Sequence, residues 1–235
     1  AIELNPGERR RLSRGCFQLL LQILRTFSQQ PYFPLYGGVF ALFSEQSLKV
    51  ALDYLDDPLR QVERSQQKAR ILTLLGYSQQ SLGNIDRASA FHLEALDMAR
   101  SAEDRPCEIA NLNHLGRTYA AQKQYDAAIG KSQRALILAR QLGDRLGEAN
   151  ASSNLGYAQV LQAQQLEQME AEVYEGAIGY LDRGLQLAQK LGDRQSLSLC
   201  YLSLGMAYTL SEQAQTAISY LTKAVEASRA VGDLY

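Results

Sequence analysis

The 235-residue chain is predicted to be all-α and built from stacked helical hairpins. Three observations carry that expectation. Leu-Gly pairs recur at Leu75-Gly76, Leu115-Gly116, Leu155-Gly156 and Leu204-Gly205, in steps of 40, 40 and 49 residues. Alanine stands twelve residues after the glycine at Ala88, Ala128 and Ala217 and, past an insertion, at Ala177. Seven residues further comes a small residue (Ala95, Ala135, Gly184, Ala224), followed by an aliphatic one (Leu96, Leu136, Leu185, Val225). A period of this size marks a row of repeats rather than one closed core.

Each repeat reads as two helices. Leu112, Leu115, Gly116 and Tyr119 are spaced for one helical face, and Ala128, Ala135 and Leu136 for one face of a second helix. Small residues at Gly116 and Ala128 let the two helices approach closely; a bulky side chain there would overpack the contact by roughly 1–3 kcal/mol. The repeats end on Leu142-Gly143-Asp144-Arg145, Leu191-Gly192-Asp193-Arg194 and Val231-Gly232-Asp233, with Ala102-Glu103-Asp104-Arg105 in the first. Gly143 and Gly192 suit a left-handed helix end, and the following Asp suits the N-cap of the next helix.

Upstream, residues 8–30 form an amphipathic helix with Leu12, Cys16, Leu19, Leu20, Ile23, Leu24 and Phe27 on one side, ended by Pro31 and Pro34. A second apolar helix is expected over about Val39 to Leu55. The pair is read as a divergent hairpin over residues 1–63, capping repeats at 64–105, 106–145, 146–194 and 195–235. Arg9, Arg10, Arg11 and Arg14 crowd the start of the first helix, where the macrodipole disfavours cations by some tenths of a kcal/mol each. A solvated face and contact with an anionic partner both remain open.

The bulk numbers exclude several classes. Lys and Arg total 24 against 25 Asp and Glu, so no global field draws in nucleic acid or an anionic membrane. Cys16, Cys107 and Cys200 lack metal or redox spacing and read as reduced, buried thiols of a cytoplasmic protein. No apolar run reaches the roughly 18 residues of a bilayer span. His92 and His114 have no metal-ligand spacing, Gly37-Gly38 lacks the lysine of a phosphate loop, and Asp53, Asp56 and Asp57 lack the glycine and distal Glu of a calcium loop. No cofactor, metal site or catalytic residue is expected, and the chain is not expected to be an enzyme. The first residue, Ala1, reads as a processed chain or a cut fragment.

The agreement of small and large positions across four repeats resembles the tetratricopeptide repeat (TPR) family over about residues 64–235. The 40-residue period and the Leu-Gly-Asp-Arg turn resemble its longer-helix branch, which includes kinesin light chains and bacterial regulatory proteins. The resemblance implies a right-handed α-α superhelix whose first helices line a concave groove for a peptide or helix. Tyr119 and Tyr208 supply the family's aromatic after the glycine, whereas Gln79 and Gln159 replace it, implying looser packing of those two repeats.

Carried over by position, the groove residues are Arg70, Thr73 and Tyr77, then Asn113, His114 and Arg117, then Asn150, Ser153, Asn154 and Tyr157, and lastly Leu199, Leu202 and Met206. The asparagines can hold a peptide backbone, the arginines can pair with carboxylates, and the last three suit an apolar anchor. The implied ligand is acidic near the first repeat and apolar near the fourth. The basic members of the co-chaperone carboxylate clamp are missing, with Thr73, Tyr77, His114, Asn150 and Asn154 in their places.

The insertion after Gly156 adds nine residues of good helix formers and is expected to lengthen both helices by about a turn each. Leu166, Met169 and Val173 would be its apolar contacts. Ile218, Leu221 and Val225 on the last helix are expected to meet water unless the chain continues or pairs with a second copy. The leading expectation is a cytoplasmic interaction scaffold, part of a bacterial regulator. The alternative is a peripheral membrane assembly factor anchored by the Arg-rich first helix.

Overall fold

A computed structural model describes residues 5–31, 33–36, 54, 58–166 and 171–231. Every regular element among them is helical: α1 (Pro6–Ser28), α2 (Gln66–Ser81), α3 (Ile85–Ser101), α4 (Arg105–Ala121), α5 (Tyr125–Leu142), α6 (Arg145–Gln165), α7 (Ala171–Leu191), α8 (Arg194–Leu210) and α9 (Ala214–Val231). The chain is all-α, as its periodicity predicts. It divides into two compact units, residues 1–107 and 108–235. The helix expected over 39–55 lies outside the described residues apart from Tyr54, as do Gly37-Gly38, Asp53, Asp56 and Asp57.

In the first unit α1 opens on a capping box. Asn5 Oδ1 accepts from the Glu8 N–H and Glu8 Oε2 from the Asn5 N–H, both at 2.9 Å, with Pro6 at the first helical position. The buried face of α1 is Phe17, Leu21 and Leu24, packed in one cluster with Leu59, Ile71 and Leu75. This corrects the expected face. Leu12, Leu19 and Ile23 are 57%, 69% and 64% exposed, and Cys16 is exposed rather than buried. The helix carries apolar residues on two opposite sides, so its periodicity alone does not say which side is covered.

The α2–α3 hairpin is tight because Gly76 lies under the imidazole of His92; a Cβ at Gly76 would stand 2.6 Å from that ring. Gln79, where the family has an aromatic, is buried and accepts from Asn84 Nδ2 at 2.8 Å, which satisfies its amide oxygen.

The second unit repeats the device. A Cβ at Gly116 would meet Ser132 Oγ at 2.5 Å, at Gly156 Leu181 Cγ at 2.5 Å and the Ala177 carbonyl at 2.8 Å, and at Gly205 Leu221 Cγ at 2.6 Å. The glycine of each Leu-Gly pair is thus where the second helix presses on the first. α6 and α7 each run 21 residues against 17 for α4 and α8, about one extra turn. Leu166 and Val173 are exposed at the ends of these longer helices; Met169 lies outside the described residues. Leu136 and Leu185 are buried, whereas Val225 and Ile218 on α9 are exposed and Leu221 is half-buried.

The turns follow one rule. Gly143 and Gly192 adopt φ of 74° and 67°, and Asp144 and Asp193 cap α6 and α8 through the Gly147 and Ser196 N–H groups at 2.8 and 3.4 Å. In the first unit Glu103 takes the left-handed place at φ 53°, and Asp104 accepts from the Cys107 N–H at 3.3 Å.

Candidate partner-binding surface

The capping aspartates have a second role. In the first unit Arg70 Nε donates to Asp104 Oδ2 at 2.6 Å, Nη2 to Oδ1 at 3.2 Å, and Nη1 to the Ser28 carbonyl at 2.9 Å. The hydrogen bond that Arg70 donates to Asp104 raises the Arg70 pKa against the opposing effect of burial. Asn150 holds the matching place in the second unit, where its Nδ2 donates to Asp193 Oδ2 at 3.2 Å and to the Leu146 carbonyl at 3.0 Å. Arg70 and Asn150 therefore clamp the start of the following helix. Their donors are engaged by the chain itself.

Thr73, Asn113, His114, Ser153 and Asn154 are also inside the packing rather than on a solvent-facing groove. Thr73 donates to the Ala69 carbonyl at 2.9 Å and lies 3.4 Å from Cys107 Sγ. Ser153 donates to the Ala149 carbonyl at 2.8 Å and lies 2.9 Å from Cys200 Sγ. Asn113 Nδ2 donates to the Gly147 carbonyl at 3.3 Å, and Asn154 Nδ2 to the Asn113 carbonyl at 3.2 Å. Their burial has one physical reason. The next first helix lies across this position, so the polar side chains are covered; Thr73 and Ser153 bond carbonyls of their own helix, and Asn113 and Asn154 bond carbonyls of a neighbouring one. Burial pushes the Cys200 thiol up to about 12, with the Ser153 hydrogen bond acting the other way.

What remains open is the residue directly after each glycine. In the second unit these are Arg117, Tyr157 and Met206, all half-buried, one on each of α4, α6 and α8. Burial raises the Tyr157 pKa, Tyr125 adds to it, and Arg117 opposes it, so the phenol and the guanidinium share one electrostatic environment. Leu202 is 41% exposed, unlike Thr73, Asn113 and Ser153 at the same step, and Leu199, at the step of Arg70 and Asn150, is half-buried. Tyr77 is the half-buried counterpart in the first unit. There too Arg9, Arg10, Arg11 and Arg14 are exposed on α1.

One charged cluster escaped the sequence reading. Glu148 is buried, and its carboxylate accepts from Arg140 at 3.2 Å, Arg183 at 3.3 Å and Arg145 at 3.5 Å. The Arg145-to-Glu148 spacing was a legible signal; Arg140 and Arg183 come from other helices. Among the described residues no group of His, Cys, Asp and Glu is arranged to hold a metal, and no helix is long and apolar enough to cross a membrane.

Comparison with known proteins agrees with this geometry. Residues 67–136 and 199–231 each match a family described as tetratricopeptide repeat. The structure of BtubC (BKLC) from P. vanneervenii is similar, with a TM-score of 0.56 at 18% identity over 96% of this chain and 92% of that one. No curated protein sequence matches. The matched segments, residues 67–136 and 199–231, are tetratricopeptide repeats. Repeats of this family mediate protein–protein interaction and typically form non-enzymatic scaffolds.

Proposed function

We propose that the chain is an interaction scaffold that holds a peptide or helix of a partner protein on the solvent-facing part of its first helices, as the recruiting part of a bacterial regulator. The observation that carries this reading is the series Arg117, Tyr157 and Met206, which offers a cation, an amphipathic ring and a flexible apolar chain at one repeated step. Leu199 and Leu202 extend its apolar end. An acidic and apolar segment complements such a series. Residues 64–235 would be the scaffold and 1–63 a cap, in the cytoplasm. Arg117→Glu and Tyr157→Ala are expected to weaken capture of the native partner by about ten-fold or more with an unchanged melting temperature. Wild-type affinity in both would sink the assignment.

A second reading has its own observation. Leu12, Leu19 and Ile23 form an exposed apolar stripe on α1, with Arg9 and Arg11 nearby, as in helices that lie on a bilayer surface. Flotation with anionic liposomes, for wild type and Leu19→Asp/Ile23→Asp, decides it: a chain that never floats is not a peripheral membrane protein. The exposed Ile218 and Val225 suit pairing with a second copy, which sedimentation tests directly.

A further inference from the structure

A cavity of about 1140 Å³ runs along α1 in the first unit, on the side opposite the exposed Leu12, Leu19 and Ile23. Arg10, Arg14, Phe17, Leu21 and Arg25 form one wall, at the three- and four-residue spacing of a single helical face. Tyr54, Pro58, Gln61, Val62 and Glu63 form the other, and the Tyr54 hydroxyl donates to the Ser13 carbonyl at 2.5 Å. Arg9 and Arg11 flank the first end, so five guanidinium groups surround the space against the carboxylate of Glu63.

Among the described residues Arg10, Arg11 and Arg14 have no ion-pair partner. At the start of a helix they oppose its macrodipole, and the carboxylate of Glu8 offsets only part of that. An anionic occupant would compensate them. From Arg9 to Arg25 the wall extends about 24 Å, the reach of about seven residues of extended chain. Cations stand at both ends, and the apolar lining between them is Phe17 and Leu21 on one wall and Pro58 and Val62 on the other. That length and that order of charges and apolar groups exceed a single phosphate group. A flat bilayer cannot enter a space walled on both sides.

We propose that this cavity is a second docking groove, which takes an acidic-then-apolar segment of a partner protein with its carboxylates against Arg9, Arg10, Arg11 and Arg14. The guanidinium forks suit carboxylates in pairs, and exposed charges of one sign speed the encounter. The proposal rests on the scaffold reading but not on the surface at Arg117, Tyr157 and Met206.

The test is fluorescence anisotropy of the full 235-residue chain with a labelled synthetic peptide of about ten residues, three glutamates followed by leucines and a phenylalanine. Binding is expected to fall by about ten-fold or more in Arg10→Glu/Arg14→Glu, to weaken with added salt, and to vanish for a peptide with lysines in place of the glutamates. Leu19→Gln, on the opposite face of α1, should leave it unchanged. Circular dichroism confirms folding, and Gln18→Glu serves if the double variant does not fold. Unchanged affinity in the arginine variants overturns the proposal, as does displacement of the peptide by equimolar pyrophosphate, which would make the cavity a small-anion site. So would an Arg10- and Arg14-dependent dimer in sedimentation. Binding gained only on Asp53→Asn/Asp56→Asn/Asp57→Asn would likewise overturn it, by assigning the arginines to the chain's own acids. Loss in Arg117→Glu alone would move the peptide to the other surface and leave the scaffold reading standing.

Discussion

The α2–α3 hairpin of the first unit and the α6–α7 hairpin of the second use the same glycine for different neighbours. Gly76 admits the ring of His92, whereas Gly156 admits Leu181 and the Ala177 carbonyl. The turns that follow differ in the same way. The first ends on Glu103 in a left-handed conformation and ties Asp104 to Arg70; the second ends on Gly192 and ties Asp193 to Asn150. The repeat therefore conserves geometry rather than chemistry. Any side chain that fits the space left by glycine can close a hairpin, and either a charged or a neutral donor can hold the capping aspartate.

The largest expected effect separates the two clamps. Asp104→Ala removes a cap and leaves the Arg70 side chain, only 18% exposed, without its carboxylate, a loss of roughly 3 kcal/mol or more in urea unfolding. Asp193→Ala removes a cap and a neutral bond, about 1–2 kcal/mol. Equal losses would mean that the charge of Arg70 contributes nothing.

Next come the glycines. Gly156→Ala forces a Cβ against both a buried leucine and backbone and is expected to lose roughly 1–3 kcal/mol. Gly116→Ala meets only Ser132 Oγ within 3.4 Å, and a serine rotates away, so its loss should be the smaller of the two. The same denaturation curves check this; a costlier Gly116→Ala would show that helix approach, not the facing side chain, sets tolerance.

Smallest are the turns. Glu103→Gly should raise stability by about 0.5–1 kcal/mol by relieving a left-handed glutamate, while Gly143→Ala should lower it by about 1 kcal/mol. Opposite signs in thermal melts are the expected result, and like signs would contradict the shared turn geometry.

The hairpin period, the glycine contacts and the capping aspartates were legible because each is written within about 40 residues of sequence. Gly143, Gly192, Asp144 and Asp193 could be assigned from the rules of helix ends alone. The surface was not equally legible. Asn113, Asn154 and Ser153 lie on first helices of their hairpins, and their side chains bond backbone and sulfur between helices. Arg70 looked available until Asp104, 34 residues away, closed on it. On α1 the pattern contained two apolar faces and could not rank them.

By itself the sequence determined the unit of the fold: a two-helix element closed by glycine and alanine, with a turn whose φ and cap are local properties. Only the tertiary structure decided which polar side chains remain in water. Exposure belongs to the helix that arrives next, through contacts between residues far apart in the chain, and no local rule of spacing contains that neighbour.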